Sequence, residues 1–198
     1  SLGTHPEGHC IVGCYVVSVA GRLIILADAT VNIYPDQRTL AEIAVQTSRV
    51  ARRFGLEPRV AMLSFSNFGT NREQRSTRLE EAVATARELD PTLKIDGPMQ
   101  ADTALDTLIQ EEYPFLNFDG PANVLVCPNL AAANIAYKLL EQLADAEMIG
   151  PILEGTTFPV QIVARNDEVR DIVNMATLCV AEACRGDSYW ETLRSRSD

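Results

Sequence analysis

Apolar and polar positions change period several times along the chain. Ile11–Val19 is rich in Val, Ile and Tyr, and Arg22–Leu26 follows across Ala20-Gly21, a pattern that predicts a hairpin entering the core. Leu40, Ile43, Ala44, Thr47, Val50, Ala51 and Phe54 then recur at helical spacing until Gly55 ends the run. Thr39 with Glu42 three residues on reads as a capping box for that helix. Val60–Ser64 is a short apolar strand, and Leu79, Ala82, Val83, Ala86 and Leu89 predict a second helix stopped by Pro91. Leu93–Asp96 is a weaker strand and Asp102–Tyr113 a helix that Pro114 ends.

Val124–Cys127 is continuously apolar, as expected of a strand covered on both faces. Ala131–Leu143 predicts a helix with Ala133, Ala136, Tyr137 and Leu140 on one stripe. Val160–Val163 reads as another strand. The last helix is expected from about Glu168 to Cys184, capped by Asp167, with Val169, Ile172, Val173, Ala176 and Val180 facing inward. From Arg185 onward the period fades, which divides the chain into a lobe over 1–185 and a tail over 186–198. Alternation of strands and helices predicts an α/β fold with three layers and a mostly parallel sheet. Ligands of such sheets bind beyond the carboxyl ends of the strands. That directs attention to Asp28–Asn32, Ser64–Gly69, Asp96–Asp102 and Cys127–Asn134.

Composition narrows the function classes. The chain has 198 residues and a formal net charge of −10, which excludes a general nucleic-acid binder needing a basic footprint. With 46% hydrophobic and 22% charged residues it is globular rather than disordered. The longest apolar run, Leu23–Ala27, is too short to span a bilayer, and no signal-peptide pattern is visible, so no membrane partner and a cytoplasmic location are expected. Five cysteines, an odd count, fit a reducing compartment. Lys94 and Lys138 are the two lysines, and every other basic residue is arginine. That bias fits either a high-GC coding sequence or recognition of phosphate and carboxylate.

Three clusters bear on chemistry. The Ser64-Phe65-Ser66-Asn67-Phe68-Gly69 string lies between a strand and a helix, where small polar side chains and backbone N–H groups can hold an anion. Arg72, Arg75 and Arg78 follow at intervals of three and would share a helical face, so Ser64, Ser66, Asn67, Gly69 and these arginines are candidate phosphate-binding residues. Solvated arginines beside a polar loop fit the same string. Arg165, in Ala164-Arg165-Asn166-Asp167, is expected at the N-terminus of the last helix with Asp171 one turn in, either as a phosphate clamp and general acid/base or as an exposed ion pair at a capped helix start. His5, His9, Cys10 and Cys14 have ligand-like spacing, but strand residues four apart are about 13 Å from each other, so no metal site is expected. Cys127 and Cys179 read as buried small hydrophobes.

These residues carry a resemblance. The strings Ala27-Asp28-Ala29-Thr30-Val31-Asn32, Leu40-Ala41-Glu42-Ile43-Ala44 and Phe54 through Gly69 are similar to the phosphate acetyl/butyryltransferase family. So are Ile95 through Asp102, Pro128-Asn129-Leu130 with Asn134 and Tyr137-Lys138, Ile149 through Leu153, and Arg165 through Asn174. The match runs from about Ile11 to Ala183. The strings SFSNFG, MQADTAL and GPANVLVCPNLAAANIAYKLL resemble in particular the phosphotransacetylase-like C-terminal domain of bacterial NADP-dependent malic enzymes.

The resemblance implies an isocitrate/isopropylmalate dehydrogenase-like fold, a homodimer, and acetyl-CoA as an allosteric effector. NADP and a divalent metal would belong to a malic-enzyme portion of the same parent chain, which decarboxylates malate oxidatively to pyruvate. Active phosphotransacetylases carry Ser-Arg-Gly before the last helix. Here Ala164 stands at the serine, Arg165 at the arginine, Asn166 at the glycine and Asp171 at the later acidic residue. Loss of the hydroxyl removes a transition-state donor, so CoA binding through Arg165 without acetyl transfer is expected. The resemblance also implies that the chain is an excised piece, from near the second lobe to the C-terminus. Retained phosphate acetyltransferase activity is the alternative. A dehydrogenase lobe of the related fold lacks the metal-binding aspartates and nicotinamide signature it would need.

Overall fold

The computed structural model describes residues 10–68, 74–165 and 167–194, with side chains except at 74–76 and 185–194. Its centre is a six-stranded sheet built from β1 (Val12–Val19), β2 (Arg22–Ala27), β3 (Arg59–Leu63), β4 (Lys94–Met99), β5 (Val124–Val126) and β6 (Glu147–Glu154), in the order β4-β3-β5-β2-β1-β6. β4, β3, β5 and β2 are parallel, and β1 joins β2 and β6 antiparallel. The sheet is therefore mixed and mostly parallel, as the alternation of periods predicts.

The strand period of two sorts side chains into two cores. Val124 and Val126 face one layer with Ile25, Val60, Met62 and Ile95, covered by α1 (Gln37–Arg53) and α2 (Gln74–Leu89). Leu125 and Cys127 face the other with Leu26, Ala61 and Met99. That side is covered by α3 (Ala101–Leu105), α4 (Thr107–Gln110) and α5 (Leu130–Leu143), with Ala133 and Tyr137 buried. α6 (Val169–Arg194) completes the chain. Among the described residues no helix is long and apolar enough to cross a membrane.

Several expectations need correction. α1 starts earlier than predicted: Asp36 is its cap and accepts the Thr39 N–H at 2.8 Å. Glu42 does not reach back to Thr39; its carboxylate accepts the Cys10 N–H at 2.9 Å and pairs with Arg38 at 3.0 Å. An aspartate just upstream offers a stronger cap than Thr39, and the helix extends to it. The predicted Asp102–Tyr113 helix breaks at Asp106, whose side chain accepts the Leu108 N–H and starts a new turn. Val160–Val163 forms no strand; Gln161 makes a single bridge to Ile152. β6, which the apolar pattern does not predict, carries Gly150-Pro151. Both strand prolines, Pro98 in β4 and Pro151 in β6, lie on the two edge strands, where a missing N–H is tolerated.

The largest difference concerns α6. Val169, Ile172, Val173 and Val180 point outward, from 45% to 78% exposed, and Ala176 is exposed with them. Met175 is buried, and Leu178 packs against the same core. Arg53 of α1 pairs with Glu154 of β6 and with Glu182 of α6, the latter at 2.8 Å, and so fixes how α6 is rotated. Periodicity reveals that a helix has an apolar face but not what covers it. The helix also continues to Arg194, past the predicted end at Cys184. Asp167 caps no helix turn; it accepts the Ala164 N–H at 2.6 Å and closes the turn before α6.

A buried carboxylate organises the sheet's change of direction. Asp28, 2% exposed, accepts N–H groups from Gly13, Thr30 and Val31 at Oδ1 and from Asn32 at Oδ2, all within 3.2 Å. Asn32 also donates its side-chain amide to Asp28 and to the Ile11 carbonyl. Asp28→Ala would leave at least four backbone donors short of an acceptor and should cost about 3 kcal/mol or more, read as a lowered urea midpoint.

Candidate functional site

A cleft of about 630 Å³ opens between β6, the end of α5 and the start of α6. Its floor is aromatic. Tyr15 of β1 and Tyr137 of α5 stack with centroids 4.3 Å apart and planes 19° from parallel. Burial pushes the Tyr15 phenol above its ordinary pKa, and Tyr137 adds to the effect, so it stays protonated at neutral pH. Lys138 sits over the Tyr137 ring at 4.8 Å and pairs with Glu141 at 2.9 Å. That contact with Glu141, against some burial, raises the Lys138 pKa.

Ala164 and Asp171, two of the three residues expected near the last helix, both line this cleft. Arg165 lies beside them in an exposed turn. Asn166 lies outside the described residues. The lining carries Glu141, Glu147, Asp167, Glu168 and Asp171 against Lys138 and Arg170. Arg170 is 3.8 Å from both Asp171 and Glu147. Taken alone, this wall is acidic, and an anion resting on it gains from Arg165 and Arg170 only where it stays clear of the carboxylates.

The second predicted cluster lies elsewhere. Ser64 follows β3, four strand spacings from β6, which is about 19 Å across the sheet. Its N–H donates to the Met99 carbonyl at 2.8 Å. Asn67 is occupied: its carbonyl accepts the Gln100 N–H at 2.7 Å and its amide donates to Gln100 and to the Tyr113 hydroxyl. Phe68 packs against Tyr113 and Phe115, with centroids 5.0 and 4.8 Å away. Ser66 is buried, and its hydroxyl has no hydrogen-bond partner. Gly69 and Arg72 lie outside the described residues, as does the Arg75 side chain.

Arg78 bridges two loops. Its Nη1 donates to the Pro35 carbonyl and its Nη2 to the Pro128 carbonyl, both at 3.1 Å. Its guanidinium thus ties the loop after β2 to the loop after β5. Neither contact is legible from the Arg72, Arg75, Arg78 spacing, which reports a shared face and no partners.

Three of the thiols are poor nucleophiles. Burial pushes Cys14 and Cys127 up to about 12, and burial with the Glu42 carboxylate does the same for Cys10. Cys127 is buried as expected, whereas Cys179 is half-buried against the Pro159 carbonyl. Among the described residues no group of three or more His, Cys, Asp or Glu side chains converges on a metal-sized site. His5 and His9 lie outside them. The Tyr15–Tyr137 pair escaped sequence reasoning, because an inward tyrosine on a strand and another on a helix stripe show nothing of their meeting.

Comparison with known proteins agrees with this architecture. The family model described as phosphate acetyl/butaryl transferase matches residues 1–180. The chain belongs to that family. It is 37% identical over 172 residues to a phosphate acetyltransferase of Bacillus subtilis, covering 86% of this chain and 53% of that protein. It is 42% identical over 160 residues to an NADP-dependent malic enzyme of Escherichia coli, covering 80% of this chain and 21% of that one. The EutD phosphotransacetylase from Staphylococcus aureus superposes with a TM-score of 0.85 at 34% identity, covering 91% of this chain and 56% of that one. The chain thus spans about half the length of those two phosphotransacetylases and about a fifth of that malic enzyme.

Two substitutions test the geometry. Gly150, at φ +149°, leaves no room for a side chain: a Cβ would lie 2.9 Å from the Cys14 carbonyl and 2.9 Å from the Tyr15 ring. Gly150→Ala should destabilise by roughly 1–3 kcal/mol in a denaturant titration. Arg78→Met should cost about 2 kcal/mol, since two carbonyls lose a charged donor.

Proposed function

We propose that this chain is the regulatory lobe of an NADP-dependent malic enzyme, binding acetyl-CoA as an effector without transferring its acetyl group. The observation that carries the reading is Ala164, which lines the cleft with Asp171 and directly precedes the exposed Arg165. By resemblance, active members place a serine hydroxyl there, beside the arginine. A methyl group offers no proton and no hydrogen bond to a developing oxyanion. Arg165 keeps its charge and stands exposed at the rim, where it can meet a phosphate.

The acidic wall bears on how such a ligand is held. A coenzyme carrying several phosphates needs more cations than Arg165 and Arg170 provide, so the rest must come from beyond this chain. The aromatic floor suits the uncharged part of the ligand. NADP and the divalent metal belong to the malic-enzyme portion of the parent, where malate is oxidised. Regulation then requires that acetyl-CoA bind one conformation of the parent better than another.

A phosphate acetyltransferase is the second reading, favoured by the retention of both Arg165 and Asp171. One experiment separates the two. In the parent protein, malate oxidation is titrated with acetyl-CoA for wild type and Arg165→Ala. Losing one charge-assisted phosphate contact should raise the inhibitory concentration roughly ten- to a hundredfold, with little change in turnover without effector. Superimposable curves would remove Arg165 from the site. Acetyl phosphate formed from acetyl-CoA and inorganic phosphate would overturn the regulatory reading in favour of the transferase.

A further inference from the structure

We propose that the apolar pocket between α1, β6 and α6 binds a small uncharged hydrocarbon, about the size of a six-membered ring, and that its occupant braces α6. The pocket measures about 130 Å³. Val50 and Phe54 at the end of α1, Ile152 of β6, and Leu178 and Ala181 of α6 supply its apolar walls. Val50 and Ile152 are fully buried, so the pocket reaches into the main core. Protein interiors are close-packed, and atoms beside a void forgo dispersion contacts on that side. A hydrocarbon seated there restores them.

Volume and lining fix the chemistry of the ligand. An apolar cavity of about 150 Å³ takes up benzene and holds no water, because a water needs two to four polar partners. The charged residues that line this pocket, Arg53 and Glu182, are paired with each other at 2.8 Å. Arg53 also pairs with Glu154, and the Gln161 amide donates to Glu182 at 3.0 Å. A carboxylate or an ammonium entering the pocket must either break that cluster or lie unpaired against apolar walls. Both are unfavourable, which leaves an uncharged ligand.

Position gives the pocket its reach. Asp171, Asn174 and Met175 line the large cleft, and Leu178, Ala181 and Glu182 line the pocket. These positions recur every three or four residues, so one face of α6 serves both cavities. Asp171 and Leu178 lie about two turns apart, about 10 Å along the axis. On that face Met175 is buried and Leu178 packs beside it, whereas Val169, Ile172 and Val173 lie on the open side. A hydrocarbon in the pocket touches α6 only while the helix is docked, so binding favours the docked state. By reciprocity, a ligand that holds the Asp171 end in place tightens the pocket. This coupling holds whichever ligand the cleft takes.

Benzene titrated into the intact chain, with methyl groups observed by NMR, tests it. Saturable shifts of the Val50, Ile152 and Leu178 methyls are expected, with Overhauser contacts to the benzene protons and a dissociation constant on the order of 1 mM. Benzoate and benzylammonium should bind at least tenfold more weakly, since each carries a charge to the same walls. Ala181→Phe and Leu178→Trp each bring a ring to the pocket and should weaken benzene binding at least tenfold. Ala181 is exposed, so circular dichroism should show its variant folded. At half-saturation with benzene, amides of residues 175–182 should exchange about twofold more slowly, and those of α2 at an unchanged rate. Absence of saturable shifts, contacts to other methyls, a charged analogue binding as well as benzene, undiminished binding in the folded Ala181→Phe variant, or unchanged exchange in α6 would each overturn the assignment.

Discussion

The Asp28 carboxylate is the point on which the sheet's geometry depends. It sits where β2 ends and gathers N–H groups from its own loop and from Gly13 at the start of β1. Five strands of the sheet run in one direction, and β1, between β2 and β6, runs against them. At that junction backbone donors have no ladder partner, and burial without one would be costly. One side chain supplies the acceptors. It thereby fixes the loop carrying Thr30, which lines the cleft together with Tyr15 of β1.

The cleft inherits its shape from this arrangement. Tyr15 is positioned by β1, Tyr137 by α5 on the opposite layer, and Asp171 by α6. Three elements far apart in the chain meet because β1 and β6 close the sheet on one side. The orientation of α6 rests on a polar contact, Arg53 with Glu154 and Glu182, rather than on its valines. A charged cluster thus decides which residues of the last helix face the cleft.

Much of the fold was legible because its signals are local and redundant. Val124–Val126 is apolar throughout and proved to be a central strand. α1 and α2 show their buried faces in their spacing. What failed were signals with two meanings. Val160–Val163 reads as a strand, yet it forms one bridge, from Gln161 to Ile152. The valines of α6 read as inward, yet a helix can be apolar on a side its own sheet does not cover. At the candidate site, Ala164 and Asp171 line the cleft, while Arg165, expected to meet Asp171, lies in the exposed turn beside it. Asn67 donates to Gln100 and Tyr113, and two nitrogens of Arg78 donate to the Pro35 and Pro128 carbonyls. Hydrogen-bond partners distant in sequence leave no trace in a local pattern.

The two ends of the sheet differ from its middle in one further respect. At β6, Gln161 returns to bridge Ile152, and its side-chain oxygen accepts the Leu153 N–H at 3.2 Å. At β4, Pro98 removes a donor where the outer edge would otherwise offer one. Neither border therefore presents an unbroken ladder of vacant amides and carbonyls, the template on which stray chains add strands and aggregates grow. Such blunted margins let a strongly apolar sheet fold at high concentration without recruiting its neighbours through the backbone.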